Sequence, residues 1–321
     1  MPLPVHTDLH VDALLTMLSI AYMNEPDAFI ADQAFPIIPV NKQSDKIAKY
    51  DKDYWFRDEA DLRAPATEPK GNGYGVDTSD SYLCDNYAFK DDIPDETRGN
   101  YDSPFDPEND STALVTEKLK LRRERAFAGD FFKTGVWGAS GTDTDFSATP
   151  TTQWSDYANS NPIGDIEDGR EAIYSGTAKD PSDLIIGRAV WAVLKHHPDL
   201  IERIKYTQKA ILTVDLVASL FDIPRILIGK ALYTTTKEGQ STQTLGYIFG
   251  KSFLLLFAPR RPGLRIPSAG YTFHWKKFGG ISYIRRVRDD KGQYDRIEGH
   301  SHFDQKAIAT DCGYFGANVV A

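Results

Sequence analysis

His300-Ser301-His302-Phe303-Asp304 is the stretch whose residue types and spacing come nearest to doing chemistry. Successive side chains of a β-strand point to opposite faces, so on a strand His300, His302 and Asp304 would share one. A His-x-His-x-Asp set on one face can hold zinc and activate water, which makes a metal-dependent hydrolase the remote alternative reading. Against it, only 17 residues follow Asp304, with no His, one Asp and one Cys among them. Gln305 stands where such a pattern usually closes with His, so further ligands would have to come from upstream. Polar residues alternating along a half-exposed strand account for the same spacing. No metal is expected here.

Other tempting motifs fail on geometry. Gly246-Tyr247-Ile248-Phe249-Gly250-Lys251-Ser252 almost spells a phosphate-binding loop, but three residues separate its glycines. Four are needed for the backbone N–H groups to wrap the phosphates. The run after it, Phe253-Leu254-Leu255-Leu256-Phe257, also suits a strand, where the chemistry requires a helix N-terminus. His6, His10 and Asp12 sit at an end expected to be loosely held, a poor place for catalysis. His196-His197-Pro198 falls where a helix breaks, and adjacent side chains on a helix diverge, so core or surface histidines are expected. Gly138-Ala139-Ser140-Gly141 lacks the Gly-x-Ser-x-Gly spacing of a nucleophile elbow. Cys84 and Cys312 are too few for a disulfide framework or a four-thiolate site, and are expected as buried free thiols in a reducing compartment. No catalytic, cofactor-binding or metal-binding residue is expected, and no enzyme.

The elements that would position these residues follow from periodicity and punctuation. Residues 8–23 carry Leu9, Ala13, Leu14, Met17, Leu18 and Tyr22 at helical spacing. Pro36 and Pro39 flank Ile37 and Ile38 and mark an extended tether. Lys46 to Phe56 suits a strand, with Ser81 to Lys90 as its partner. The Pro/Gly-rich stretch from Arg63 to Gly75 between them is too long for a tight turn. A long hairpin results, with too few residues to cover both its faces, so it must lean on something outside its own domain. Asp106-Pro107-Glu108-Asn109-Asp110 is a dense helix start, and the helix over about 110–133 presents Leu114, Leu121, Ala128 and Phe132 along one side. Lys118, Lys120, Arg122, Arg123 and Arg125 on that helix are expected as a solvated face with intersubunit ion pairs. Gly135 to Asp156 is a loop. Over 160–263 helices (Ile163 to Tyr174, Ala189 to Lys195, Val214 to Phe221) alternate with strands (Asp183 to Ile186, Arg225 to Leu232, Tyr247 to Phe257), an α/β unit. From Leu264 onward the chain is strand-rich, with breaks at Gly279-Gly280 and Asp289 to Gly292.

Composition bounds the function classes. With 321 residues the chain is long enough for about two domains. Its 37 basic and 46 acidic residues give a formal charge of −9, which argues against sequence-specific nucleic-acid binding. Met1-Pro2-Leu3-Pro4-Val5-His6 has no basic region leading into an apolar core, so no signal peptide is expected. Val11 to Met23 contains Asp12 and is too short to span a bilayer. A cytoplasmic origin and no membrane partner are expected.

The order of pieces, an arm, a long hairpin, a long helix, an α/β unit and a strand-rich return, resembles the tailed-phage major capsid fold. Local stretches are similar to that family too: Phe29-Ile30-Ala31-Asp32-Gln33-Ala34-Phe35-Pro36, Lys46-Ile47-Ala48-Lys49-Tyr50, Arg57-Asp58-Glu59-Ala60 and Gly135-Val136-Trp137-Gly138. The likeness continues at Trp154-Ser155-Asp156-Tyr157, His197-Pro198-Asp199, Arg203-Ile204-Lys205-Tyr206-Thr207, Pro267-Ser268-Ala269-Gly270-Tyr271-Thr272-Phe273 and Phe303-Asp304-Gln305-Lys306.

The resemblance implies an α+β fold: an N-terminal arm (1–45), an extended β-hairpin loop (46–100), a peripheral domain with a long spine helix (101–154 and 263–321) and an α/β axial domain (155–262). It implies a virion protein that assembles in the host bacterial cytoplasm, as pentamers and hexamers of an icosahedral shell around the genome. Partners implied are the chain itself, scaffolding, portal and decoration proteins, and double-stranded DNA bound non-specifically. The likeness begins near Phe29, which implies a separate scaffolding protein or none. An encapsulin-like nanocompartment shell, which shares the fold, is the alternative.

Overall fold

The computed structural model describes residues 23–100, 106–138, 143–148, 151–204, 212–261, 263, 266–278 and 281–321. The expected helix over 8–23 lies outside them, save its last residue.

Two sheets of five strands organise the chain. The first to consider runs Thr144–Asp145, Gly313–Ala317, Phe253–Leu256, Asp183–Gly187, Arg225–Gly229. Every residue of its three central strands is buried, because both faces are covered, so these strands are continuously apolar rather than alternating. Leu184, Ile186, Phe253, Leu255 and Tyr314 point into one cluster with Trp154 and with Ile166 and Ile173 of the Pro162–Thr177 helix. Ile185, Leu254, Leu256 and Phe315 point the other way, against Phe35, Phe127, Phe131 and Trp137. The expected α/β unit is therefore present, and its sheet is completed from the C-terminal tail.

The second sheet is built on one long strand, Tyr294–Ala307. It pairs antiparallel with Ser282–Asp289 on one side and with Asp85–Pro94 on the other. Its far end pairs with Gly270–Trp275, which in turn takes Ile37–Val40 in parallel. The long helix, Pro107–Phe131, lies across this sheet. It starts as the sequence predicts: the Asp106 carboxylate accepts from the N–H groups of Glu108 and Asn109 at 3.0 and 3.3 Å, with Pro107 in the first turn. The helix approaches the Tyr294–Ala307 strand at Gly299, where any side chain would collide with Val115 and Leu119.

Several expectations are corrected. The inward face of the long helix is Ser111, Val115, Leu119, Arg123, Glu124, Phe127, Ala128 and Phe131, not the line of Leu114, Leu121 and Phe132. Leu114 is 43% exposed. The true face includes polar residues because their partners are supplied from afar: Ser111 donates to Asp91 at 2.6 Å and Arg123 to Asp32 at 2.6 Å. The partner of 85–90 is the 298–303 stretch rather than 46–56. The hairpin closes instead through short ladders, Ser44–Lys46 with Ser81–Leu83 and Lys49–Tyr50 with Val76–Asp77. Lys52–Trp55 is one helical turn, not strand, since the Asp51 carboxylate caps it from Asp53 N–H at 3.1 Å. Pro36 and Pro39 do not mark a free tether. Ile37–Val40 is an edge strand, which tolerates proline's missing donor, and Ala28, Ile30, Ala31, Ala34 and Phe35 before it are buried. The expected strands Arg225 to Leu232 and Tyr247 to Phe257 each break in two, and Leu232–Thr234 pairs with Leu245–Tyr247 as a separate ribbon.

Candidate functional site

The residues that could have made a metal site do share a strand face but do not converge. The His300 ring stacks on Tyr283, with centroids 5.1 Å apart, and His302 lies 6.1 Å from the same tyrosine with Trp275 edge-on at 5.6 Å. Asp304 turns instead to the base of the loop, accepting the Leu83 N–H at 2.9 Å. Burial and the neighbouring His300 and His274 hold the His302 imidazole below its ordinary range, which favours a neutral ring packed among aromatics. Among the described residues no group of three or more His, Cys, Asp or Glu side chains is placed to hold a metal ion.

The other candidates are absorbed by the fold. Gly250 turns with φ +58°, and the backbone around it is bound into the sheet, Lys251 O accepting from Val319 N–H and Ser252 O from Gly187 N–H. The strand Phe253–Leu256 follows, so no helix begins at this turn. His197 is fully buried, its Nε2 3.0 Å from Ser160 Oγ and its Nδ1 accepting from Asp199 N–H at 3.3 Å. Desolvation lowers its pKa, and it ties the 157–160 corner to the helix at Pro198–Ile204. His196 is exposed. Burial pushes the Cys84 and Cys312 thiols up to about 12, so both are inert at neutral pH. His6, His10, Asp12 and Ser140 lie outside the described residues.

The basic helix departs from expectation at one position: Arg123 is buried on Asp32. Arg122 and Arg125 are exposed, as a solvated face requires, with Arg122 lying over Tyr87 at 4.8 Å and Arg125 over Tyr233 at 4.5 Å. Lys118 is exposed and Lys120 half-buried.

What remains unsatisfied is the loop between Lys46 and Ser81. All residues from 51 to 74 are exposed. Tyr50, Trp55 and Tyr74 gather with centroids about 6 Å apart (6.2, 5.9 and 6.2 Å), yet Trp55, Phe56, Leu62 and Tyr74 each stay more than half exposed. Lys52 reaches back to Asp311 and Lys49 to Asp80, so the base of the loop is tethered while its apolar side chains face water. A patch of this kind on a subunit marks a surface to be covered. Tyr54, Trp55 and Phe56 are consecutive in the sequence, with Tyr50 four positions before them. Leu62 and Tyr74 gave no signal, because only the closed loop shows that they are uncovered.

No family model matches the chain. Among curated proteins, the major capsid protein of Burkholderia phage BcepMu is 31% identical over 311 residues, 95% of each chain. The chain belongs to the phage major capsid protein family. As a major capsid protein it is a structural subunit, not an enzyme, and it self-associates into the shell of a virion. The solved structures agree on the fold. A phage-related protein from Bordetella bronchiseptica RB50 matches with a TM-score of 0.72 at 20% identity, covering 92% of this chain and 94% of that one. The capsid of cyanophage P-SCSP1u matches with 0.61 at 12% identity, over 97% and 93%. An encapsulin from Synechococcus elongatus PCC 7942 shares the fold at a TM-score of 0.52 and 12% identity, over 97% of both chains. The encapsulin alternative is thus a likeness of fold alone.

Proposed function

We propose that this major capsid protein closes an icosahedral shell as pentamers and hexamers around double-stranded DNA, and that the loop over about 46–84 is laid across a neighbouring copy. The observation that carries this reading is the exposed aromatic group on a loop with no core of its own. Burying such side chains against a second copy recovers about 1.5–3 kcal/mol for each one fully covered, before the cost of ordering the loop. The domain reading goes with it: an arm over 1–45, a peripheral domain over 101–154 and 263–321, and an axial domain over 155–262. The pairing of 85–94 with the long strand favours ending the extended loop near 84 rather than 100. Scaffolding, portal and decoration proteins are its further partners, and packaged DNA is touched without sequence preference, in keeping with a net charge of −9. Assembly in the host cytoplasm fits two free buried thiols.

Limited proteolysis of free subunits and of closed shells tests the loop assignment. Trypsin is expected to cut free subunits near Arg57, Arg63 or Lys70 and to spare those bonds in shells. Equal cutting in both states contradicts the assignment.

A further inference from the structure

Residues 24–35 are seated on the long helix by polar as well as apolar contacts. At one end Asn24 donates its backbone N–H to Glu117 at 3.2 Å and exchanges hydrogen bonds with the backbone of Leu232. At the other, Phe35 packs on Phe127 and Phe131, centroids 5.0 and 4.8 Å away. Between them sits Glu124, 1% exposed, whose two carboxyl oxygens accept from the N–H groups of Ile30 at 2.7 Å and Ala31 at 2.9 Å. These amides open the helical turn Ala31–Ala34, and its own N-cap residue, Ile30, has no side chain to satisfy them. A side chain from the long helix therefore caps a turn more than 90 positions away in sequence.

When ionised, the Glu124 cap is a buried charge with no ion pair of its own among the described residues, because Arg123 beside it donates to Asp32 at 2.6 Å. The charged groups facing it are Asp32 from the turn and Arg123 from its own helix, with Lys120 acting on Asp32. Arg225, from the neighbouring sheet, holds the Gln33 carbonyl at 2.7 Å and is bound to Asp183. Burial raises the Glu124 carboxyl most, the two N–H donors oppose it, Asp32 adds to it and Arg123 opposes, leaving it pushed up to about 7.

We propose that Glu124 is a proton-linked latch: seating residues 28–35 on the long helix takes up a proton at this carboxyl, so the segment is held more tightly in mild acid than at alkaline pH. The proton comes from solvent, and the neutral carboxyl keeps an oxygen to accept from one amide while the buried charge is removed. When the segment lifts, Glu124 meets water and returns toward its ordinary value of 4.5. The seated state then binds more protons than the lifted one between that value and about 7, and seating weakens as pH rises through this window, by up to about tenfold per pH unit, and levels off above it. Asp32, also raised by burial, acts in the same sense. The inference concerns the single subunit and does not rest on shell closure.

Amide hydrogen exchange at Ile30 and Ala31 in the full-length subunit, corrected for intrinsic base catalysis, tests it between roughly pH 5 and 8.5. The opening constant is expected to rise by up to about tenfold per unit as pH approaches 7 and then to flatten. Glu124→Gln should reduce the slope to the Asp32 remainder. Asp32→Asn, which frees Arg123 to pair with Glu124, should move the window to lower pH, and it keeps the test available if Glu124→Gln does not fold. A flat native profile, a slope of opposite sign, or an unchanged slope in Glu124→Gln overturns the proposal.

Discussion

The Asp295 carboxylate, 2% exposed on the long strand, is bound at 2.5 Å by the Arg286 guanidinium of the neighbouring strand. Arg98 grips the same oxygen from the helical turn that follows the Asp85–Pro94 strand, and Arg288 approaches the other at 3.6 Å. Arg286 also reaches Glu108 in the first turn of the long helix at 2.9 Å. One carboxylate thus ties two strands, a turn and the helix start together.

Asp295→Ala should destabilise the subunit by about 1–3 kcal/mol, because the arginines that converge on it lose their shared partner while keeping some access to water. Denaturant unfolding of the isolated subunit measures this. The hydrogen bond from Arg98 leads the effects that hold the Asp295 pKa below its ordinary value of 3.8. A depressed carboxyl contributes stability that is present above its unfolded value and lost as pH falls through the folded one. The loss from Asp295 should therefore appear below about pH 4. Unchanged stability in the variant at pH 7 would show that the arginines are served equally well by Asp95 and Glu108.

The histidine strand should bind no stoichiometric zinc. His300 and His302 are engaged with Tyr283 and Trp275, and Asp304 with the Leu83 N–H. Elemental analysis of purified protein should find far less than one zinc per chain. About one zinc per chain, lost in His300→Ala, would overturn this.

How much of this was legible in the sequence depends on how far each residue's partner lies along the chain. Local chemistry was readable: the Asp106 cap, the Pro162–Thr177 helix and the apolar Asp183–Gly187 and Phe253–Leu256 strands stand close to where periodicity puts them. Long-range choices were not. Nothing near Asp85–Pro94 says that its partner is Tyr294–Phe303 rather than 46–56, since alternation fixes a strand's faces but not its neighbour. The polar inward face of the long helix was invisible for the same reason, as Arg123 and Glu124 look like solvent-facing charges until Asp32 and the Ile30 amide meet them. The exposed group at the loop was half readable, through the run from Tyr54 to Phe56.

The central claim is that the loop serves contact between copies and not the subunit's own core, and sedimentation velocity of a variant lacking residues 62–76 tests it most directly. Those residues are almost wholly exposed, while the two large clusters around the sheet with the buried central strands draw nothing from them. Under conditions in which the full chain closes shells, the account predicts that the deletion variant sediments as a folded, soluble subunit or small oligomer, with its thermal transition near that of the full chain. Shells of normal sedimentation from the deletion variant, or a variant that no longer folds, would contradict it.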